Sequence, residues 1–375
     1  MVYLDYSATT PVNKDVLDSF NKVTCDFIGN ANSIHLLGVK GRTLEEQATN
    51  QIKDILKIND YDIIYTSGAS EANNTVIKGI ASMYSNRGKK IITTNLEHSS
   101  IYGPLEYLEK YGFEIIKMPT DSNGIVILSE LEKLIDDSTI LVTVAAVNSE
   151  TGILQPINEI GKIVKQNKKC FFHVDMTQSI GKINMSFNDV DFASMSAHKI
   201  YGLKGIGILF KKKNIVIEPL IHGGKSTTKY RSGTPPLALI VSTSKALRLA
   251  YSNIEQKYEY VSKLNRKIIT KLRCYDKVRV NSNDKCIPHI INFSVLGVKP
   301  ESMQHALEEY EVYISTKSAC SGGNDVSLAV LEVTKNSEIA KHSLRISLSH
   351  LTSEEDVDKF LFAFDKCYQK MCNLK

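Results

Sequence analysis

Between about residues 50 and 250, short runs rich in β-branched and aromatic residues alternate with longer stretches whose apolar residues recur at helical spacing. The strand-like runs fall at 62–66, 90–94, 113–118, 140–147, 170–175, 192–196 and 207–210. Antiparallel neighbours need only a tight turn between them, whereas helix-length connections are what parallel strands require. The pattern therefore predicts an α/β domain built around a mainly parallel seven-stranded sheet. After about residue 250 the rhythm changes. A long polar helix near 252–274 is followed by a strand near 289–296, a helix near 301–309, strands near 312–315 and 344–348, and a terminal helix. This second part reads as a smaller α+β domain, and 375 residues is more than one hydrophobic core usually serves. The expected division is a large domain over 16–255 and a small domain made from 1–15 and 256–375. No repeat or low-complexity linker separates them, so the two are expected to pack closely.

Composition excludes several classes. No apolar run approaches the roughly 20 residues that span a bilayer, and the N-terminal MVYLDYSATTPV has neither the basic region nor the apolar stretch of a signal peptide. A cytoplasmic protein without a membrane partner is expected. The formal charge of +5 is mild. Its densest basic run, Lys211-Lys212-Lys213, sits between apolar segments like a solvated hairpin tip, so no direct contact with nucleic acid is expected. Seven cysteines, with no CxxC pair, argue against a disulfide framework and a structural metal site.

In open α/β sheets ligands bind beyond the carboxyl ends of the strands, and unusual polar residues collect at those places here. Thr66-Ser67-Gly68-Ala69-Ser70-Glu71 leaves a strand, turns on Gly68 and enters a helix. The free amides and dipole of that helix would suit a phosphate, although a plain turn capped by Ser70 has the same spelling. Asp175 ends a continuous apolar run, where an unpaired carboxylate is costly. A protonated pyridine nitrogen, a helix cap on Thr177 and Gln178, or a lysine would each satisfy it. His173 and Asp175, two apart on one strand and without a third ligand, make a poor metal pair, and no metal is expected. Lys199, at a strand end among small residues, is placed to lose solvation and act as a Schiff-base amine, or simply to precede a glycine-rich hairpin. Cys320 lies in a Ser/Gly/Asn-rich stretch over 315–325 without helical or strand periodicity. That setting suits a thiolate nucleophile that must move, and equally a surface cysteine.

Taken together, these segments resemble the cysteine desulfurases, pyridoxal-phosphate (PLP) enzymes of fold type I related to the class V aminotransferases, in the branch that includes the IscS and NifS proteins. The resemblance runs through YLDYSATTPV, GNANSIH at 29–35, TSGASEANN at 66–74, EHSS at 97–100, VNSETG at 147–152, HVDMTQSIGK at 173–182, SAHKIYGLKGIG at 196–207, RSGTPP at 231–236, SACSGG at 318–323 and LRISLS at 344–349. It implies PLP as cofactor, with Lys199 as the Schiff-base lysine, Asp175 beside the pyridine nitrogen, Gln178 at the ring hydroxyl, and His98 stacked on the ring and moving protons. It also implies phosphate contacts from Ala69, Ser70, Ser196 and His198, with Thr234 reaching in from the other subunit of a homodimer. Arg345, assisted by Asn32, would bind the carboxylate of L-cysteine. Cys320, on a loop of the small domain, would take the sulfur as a persulfide. From there the sulfur would pass to an acceptor protein, an iron–sulfur scaffold or a thiolation enzyme.

The chain departs from that pattern in places. The relatives carry two asparagines before the glutamate of VNSETG, the second at the ring hydroxyl; here the pair is Asn148 and Ser149. A GGGQE-like stretch reads Gly223-Gly224-Lys225-Ser226-Thr227, and His350 replaces a frequent arginine. The alternative within the same cofactor class is a lyase for selenocysteine or another β-substituted amino acid, or an aminotransferase. Cys320 argues against plain transamination, which needs no thiol.

Overall fold

The computed structural model describes residues 1–224, 226, 228–316 and 326–372. The chain opens with β1 (Val2–Tyr3), α1 (Lys14–Asp26) and α2 (Leu36–Leu56). It then lays down β2 (Tyr61–Thr66), α3 (Ala69–Tyr84), β3 (Lys90–Thr93), α4 (Ser99–Glu109), β4 (Glu114–Lys117), α5 (Leu128–Leu134) and β5 (Thr139–Ala145). These are followed by α6 (Ile157–Val164), β6 (Phe171–Asp175), β7 (Phe192–Ser196), β8 (Gly207–Lys212) and α7 (Leu237–Tyr251).

Strands β2 to β8 form one seven-stranded sheet in the order β2-β8-β7-β6-β5-β3-β4. Neighbours from β4 through β7 run parallel, while β8 is antiparallel to both β7 and β2. Every residue of β5, TILVTVA, is buried, as a central strand covered on both faces requires. Alternate side chains serve opposite cores. Val142 and Val144 pack into the cluster that holds Ile52, Phe172 and Phe210, and Leu141 packs with Ile64, Ile91 and Leu209 on the other face.

The remainder comprises α8 (Ile254–Leu272), β9 (Val278–Val280), β10 (Ile290–Val295), α9 (Pro300–Glu308), β11 (Val312–Tyr313), α10 (Leu328–Thr334), α11 (Ser337–Lys341), β12 (Ser343–Ser347) and α12 (Glu354–Cys372). Strands β12, β10 and β9 make a three-stranded antiparallel sheet, and β1 pairs in parallel with β11. Val2 and Leu4 share a core with Val261, Phe293, Ile346 and Phe364, so the first residues of the chain join its last third. Among the described residues, no helix is long and apolar enough to cross a membrane.

Two local expectations are corrected. The basic run at 211–213 is not a solvated hairpin tip, because β8 continues through Lys212, paired with Tyr61, and carries Lys211 inward. The Lys211 side chain is fully buried, 2.8 Å from Asp62 and 4.4 Å from the centre of the Tyr230 ring. Nor does Ser70 cap the helix after β2. Gly68 is the N-cap residue of α3, and Ser70 lies exposed in its first turn.

Gly207 determines how closely β8 approaches the turn that follows β2. A Cβ at this position would lie 2.5 Å from the Met195 carbonyl oxygen and 2.6 Å from Gly68 Cα. Both obstacles are backbone, so neither can rotate away. Gly207→Ala is expected to destabilise the protein by about 1–3 kcal/mol through overpacking. A lower urea midpoint with an unchanged denaturant slope would show it; an unchanged midpoint would mean that the contact is not tight.

Candidate active site

Loops leaving the carboxyl ends of β2, β3, β5, β6 and β7 meet in one cavity of about 350 Å³. Its lining includes Ala69 and Ser70 after β2, His98 after β3, Ser149 after β5, Asp175 and Gln178 at β6, and Ser196, His198 and Lys199 at β7. The small sheet supplies Arg345, and the N-terminal segment supplies Asp5, Ser7 and Ala8.

Asp175 is buried, and no cationic side chain lies within ion-pair distance of it among the described residues. Its Oδ1 accepts the Thr177 amide at 2.9 Å, which is the cap foreseen as one option. Its Oδ2 accepts from Asn73 Nδ2 at 2.9 Å. Asn73, on the first turns of α3, was missed from sequence. The only signal was a pair of asparagines, poor helix formers, inside a helix. The same Nδ2 donates to Ser100 Oγ at 2.9 Å, and Asn73 Oδ1 accepts from Ser194 Oγ. Ser194 also contacts His173 Nε2, whose ring is held on its other side by Thr143. Burial drives His173 down to about 4, so its ring is neutral. No group of three metal-ligating side chains occurs among the described residues.

His98 is the N-cap of α4, and its Nδ1 accepts the Ser100 amide at 3.1 Å. An amide can only donate, so the proton of the neutral ring sits on Nε2. Burial lowers the pKa of His98 and so favours the neutral imidazole, an effect partly offset by the Asp175 carboxylate. Next to it, Glu97 is a second residue that sequence reasoning overlooked. Its Oε1 accepts from Thr94 Oγ1 at 2.6 Å while Oε2 has no partner, and burial pushes the carboxyl up to about 8.

Lys199 closes a single 3₁₀ turn directly after β7. Its Nζ donates to the carbonyl oxygens of Ser7 and, at 2.8 Å, Ala8. The N-terminal segment continues across this turn: Thr9 Oγ1 meets His198 Nδ1 at 3.1 Å, and Thr10 Oγ1 donates to the His198 carbonyl at 2.9 Å. Burial, then the charges of Lys199, Lys204 and Lys182, push His198 down to about 4. Ala69 and Ser196 are joined directly, the Ala69 amide donating to Ser196 Oγ at 2.8 Å. The turn before α3 is braced by Glu71, which accepts the Ser67 amide at 2.8 Å and the Arg231 guanidinium at 3.0 Å. On the opposite wall, Arg345 donates to Asp5 Oδ1 at 2.6 Å and to the Ser149 carbonyl at 3.1 Å, leaving its Nε without a partner.

Three expected residues lie elsewhere. Asn148 is turned into its own loop, its Oδ1 accepting from Glu150 and Thr151 and its Nδ2 donating to the Leu96 carbonyl, so Ser149 is the member of the pair at the cavity. Asn32 is exposed and bonds Ser226 at 3.0 Å beside a different hollow that includes Arg42 and Tyr65. Thr234 is exposed, away from the cavity of its own chain. Cys320, and with it Lys225, lies outside the described residues. The chain leading to Cys320 departs from Ser315, which lines the cavity.

The family model described as aminotransferase class-V matches residues 2–360. The chain belongs to the class-V aminotransferase family. Its relatives include members of the IscS and NifS branch. The chain is 36% identical over 375 residues to a NifS/IcsS protein homolog of Lactobacillus delbrueckii subsp. bulgaricus, covering 98% of this chain and 97% of that one. It is also 36% identical to a cysteine desulfurase IscS of Dictyoglomus turgidum, covering 99% and 95%. Among solved structures, a NifS-like protein superimposes with a TM-score of 0.93 at 34% identity, covering 98% of this chain and 99% of that one. A NifS-like protein of Rickettsia africae gives 0.88 at 30%, covering 98% and 99%. Class-V aminotransferases of this branch depend on PLP, and the fold-type-I sheet expected from sequence is the one found.

The Glu97 carboxyl carries a testable pH signature. Its folded pKa lies above its ordinary value, so the folded state holds this proton more tightly than the unfolded state. The resulting loss of stability accrues as pH rises from about 4.5 toward about 8 and then levels off. Glu97→Gln, which keeps the shape and removes the ionisation, is expected to be closer to wild type at pH 5 and to gain on it by pH 8. Urea unfolding of both proteins at the two pH values measures this. A stability difference that does not change with pH would place the Glu97 proton elsewhere.

Proposed function

We propose that this chain is a cysteine desulfurase that converts L-cysteine to L-alanine, carries the sulfur as a persulfide on Cys320 and passes it to an acceptor. The observation that carries the reading is one cavity joining an unpaired buried carboxylate, an amine, a neutral imidazole and a guanidinium, with the chain to Cys320 leaving from its wall.

The donor set suits PLP. Asp175 offers a negative charge that no side chain of the described protein neutralises, as a protonated pyridine nitrogen requires. The N-terminus of α3, with Ser70, Ser196 and neutral His198 beside it, suits a phosphate dianion, and Ala69 belongs to the same turn. Lys199 supplies the amine, and Gln178 and Ser149 supply hydrogen bonds at the ring hydroxyl. When bound, PLP supplies an electron sink for the charge left on the substrate carbon.

Arg345 seats the substrate carboxylate, a task its planar fork suits once Asp5 shares it. Lys199 Nζ takes and returns the proton next to the reacting carbon, while His98, whose neutral ring carries its proton on Nε2, donates a hydrogen bond from that atom. The Cys320 thiolate attacks the substrate sulfur, and the carbon–sulfur bond breaks with its electron pair going to carbon. A proton then completes the methyl group of alanine, and the sulfur remains on Cys320 as a persulfide. A thiolate of the acceptor takes the terminal sulfur and returns Cys320 as a thiolate. The acceptor is an iron–sulfur scaffold or a thiolation enzyme, in line with relatives named IscS.

The homodimer with Thr234 shared between subunits is supported by the exposure of Ile28, Ile34 and Leu36 near Asn32, apolar surface that a second copy would cover. The division at about residues 15 and 255 is supported by the separate cores around Phe172 and Phe293. A cytoplasmic site is supported by the free state of the described cysteines.

Incubating the purified protein and its Cys320→Ala variant with L-cysteine, with alanine, sulfide and protein-bound persulfide measured, tests the reading. Alanine formation is expected to fall at least about a hundredfold in the variant, and persulfide to vanish. Equal persulfide and sulfide from both proteins would overturn the role of Cys320. Lys199→Ala is expected to abolish the visible absorbance of the bound cofactor, and its persistence would overturn the assignment of Lys199.

A further inference from the structure

Lys182 is buried, with 9% of its surface exposed, at the end of the turn that follows β6. Among the described residues it has no carboxylate within ion-pair distance, an unusual state for a lysine withdrawn from water. Its Nζ lies 2.8 Å from Gln178 Oε1. An ammonium only donates, so the atom facing it must be the amide oxygen, and the amide nitrogen must point the other way. Gln178 Nε2 donates to the Ser7 carbonyl at 2.9 Å, the same oxygen that accepts from Lys199 Nζ. The two lysines are thus bridged by a single amide and a single carbonyl.

We propose that Lys182 is a positioning residue: it holds Gln178 with the N–H₂ turned to the cofactor cavity and contributes a positive field at Lys199 Nζ. The inference rests on the roles given above to Lys199 and Gln178 and adds a residue to which no role was assigned. Gln178 alone could present either end of its amide, and a turned amide would offer the ring hydroxyl an acceptor where it needs a donor. Lys182 removes that choice. Its charge also reaches His198 and His289, so the ionisable groups coupled to it among the described residues are basic: Lys199, His198 and His289, with His350 beyond. Burial, and then the charge of Lys199, bring Lys182 itself down to about 7, while His198 is held near 4 and His289 near 3, both neutral. Lys182 and Lys199 therefore share one pocket, and the charge of Lys199 makes it easier for Lys182 to lose its proton.

The test uses the PLP-loaded enzyme and the pH midpoint of the cofactor's visible absorbance, which reports the proton at Lys199 Nζ independently of turnover. Lys182→Met and Lys182→Gln both remove the charge, and each is expected to raise the midpoint by roughly half to one pH unit. Lys182→Arg keeps charge and donors and is expected to stay close to wild type. If burial makes one neutral protein unstable, the other serves. Neutral variants that keep the wild-type midpoint, or an Arg variant that shifts as far as they do, would overturn the proposal. Lys199→Ala separates this result from the wider reading. Loss of the pH-dependent band in that protein, together with an unmoved midpoint in the Lys182 variants, would reject the role of Lys182 while leaving that of Lys199 intact.

Discussion

A carboxylate buried at the end of a central strand, with no cation of the described protein to pair with it, organises the surrounding structure. Asp175 is tolerable there because two donors of fixed geometry, the Thr177 amide and Asn73 Nδ2, are aimed at it. Asn73 keeps its orientation because Ser194 and Ser100 hold its other contacts, and Ser100 in turn fixes the ring of His98. One helical asparagine therefore couples the buried Asp175 carboxylate to the His98 imidazole. The remaining titratable neighbours avoid adding charge. His173 and His198 are held neutral and Glu97 is held protonated, all primarily by burial. A charge as isolated as that of Asp175 is available to a cation arriving from outside, and little else nearby competes for it.

The cavity is completed by residues far away in sequence. Val2 and Leu4 pack in the core around Phe293, while Ser7 to Thr10 cross over Lys199 and His198. The N-terminal segment acts as a strap that belongs to one core and trims the active site built on the other. It also carries Asp5 to Arg345, so the guanidinium proposed to receive a substrate carboxylate already has one carboxylate contact. Such a pair restrains the side chain in the correct direction. It also makes the second, incoming carboxylate compete for hydrogen bonds rather than for position.

Much of this architecture was legible in the sequence, and the gaps have physical causes. The seven large-sheet strands were read within a few residues because buried parallel strands are continuous apolar runs, and β5 is the plainest of them. The polar residues at their carboxyl ends, from Ala69 to Lys199, were read as one group and do line one cavity. The two-residue β1 was missed because a short edge pairing leaves no periodicity, and with it went the strap that supplies the acceptors of Lys199. Lys211 was misread since a lysine in a run of three looks solvated unless the pairing of β8 with β2 is known. Asn148 and Ser149 are adjacent and polar, and only the turn geometry decides which faces the ligand. Asn73 acts through hydrogen bonds to residues 27, 102 and 121 positions away, and Glu97 and Lys182 are set apart by burial rather than by their local partners Thr94 and Gln178, so none of the three has a local spelling.

The small sheet bears on the thiol chemistry through one ladder contact. Ser315 and Arg345 exchange two backbone hydrogen bonds, Ser315 N to the Arg345 carbonyl at 3.0 Å and Arg345 N to the Ser315 carbonyl at 2.8 Å. Arg345 therefore shares a rung with the point from which the chain proceeds to Cys320. On the far side of that segment Ser327 donates to Glu150 at 2.6 Å, next to Ser149 on the cavity wall. Ser315 is half-buried and lines the cavity, while Ser327 is buried and tied to Glu150, the residue after Ser149. Under the role proposed for Arg345, a carboxylate bound there would lie beside the point from which the chain departs toward Cys320. The register between Arg345 and Ser315 is thus set by a strand pairing of the small sheet, and not by how the two large cores lie against each other.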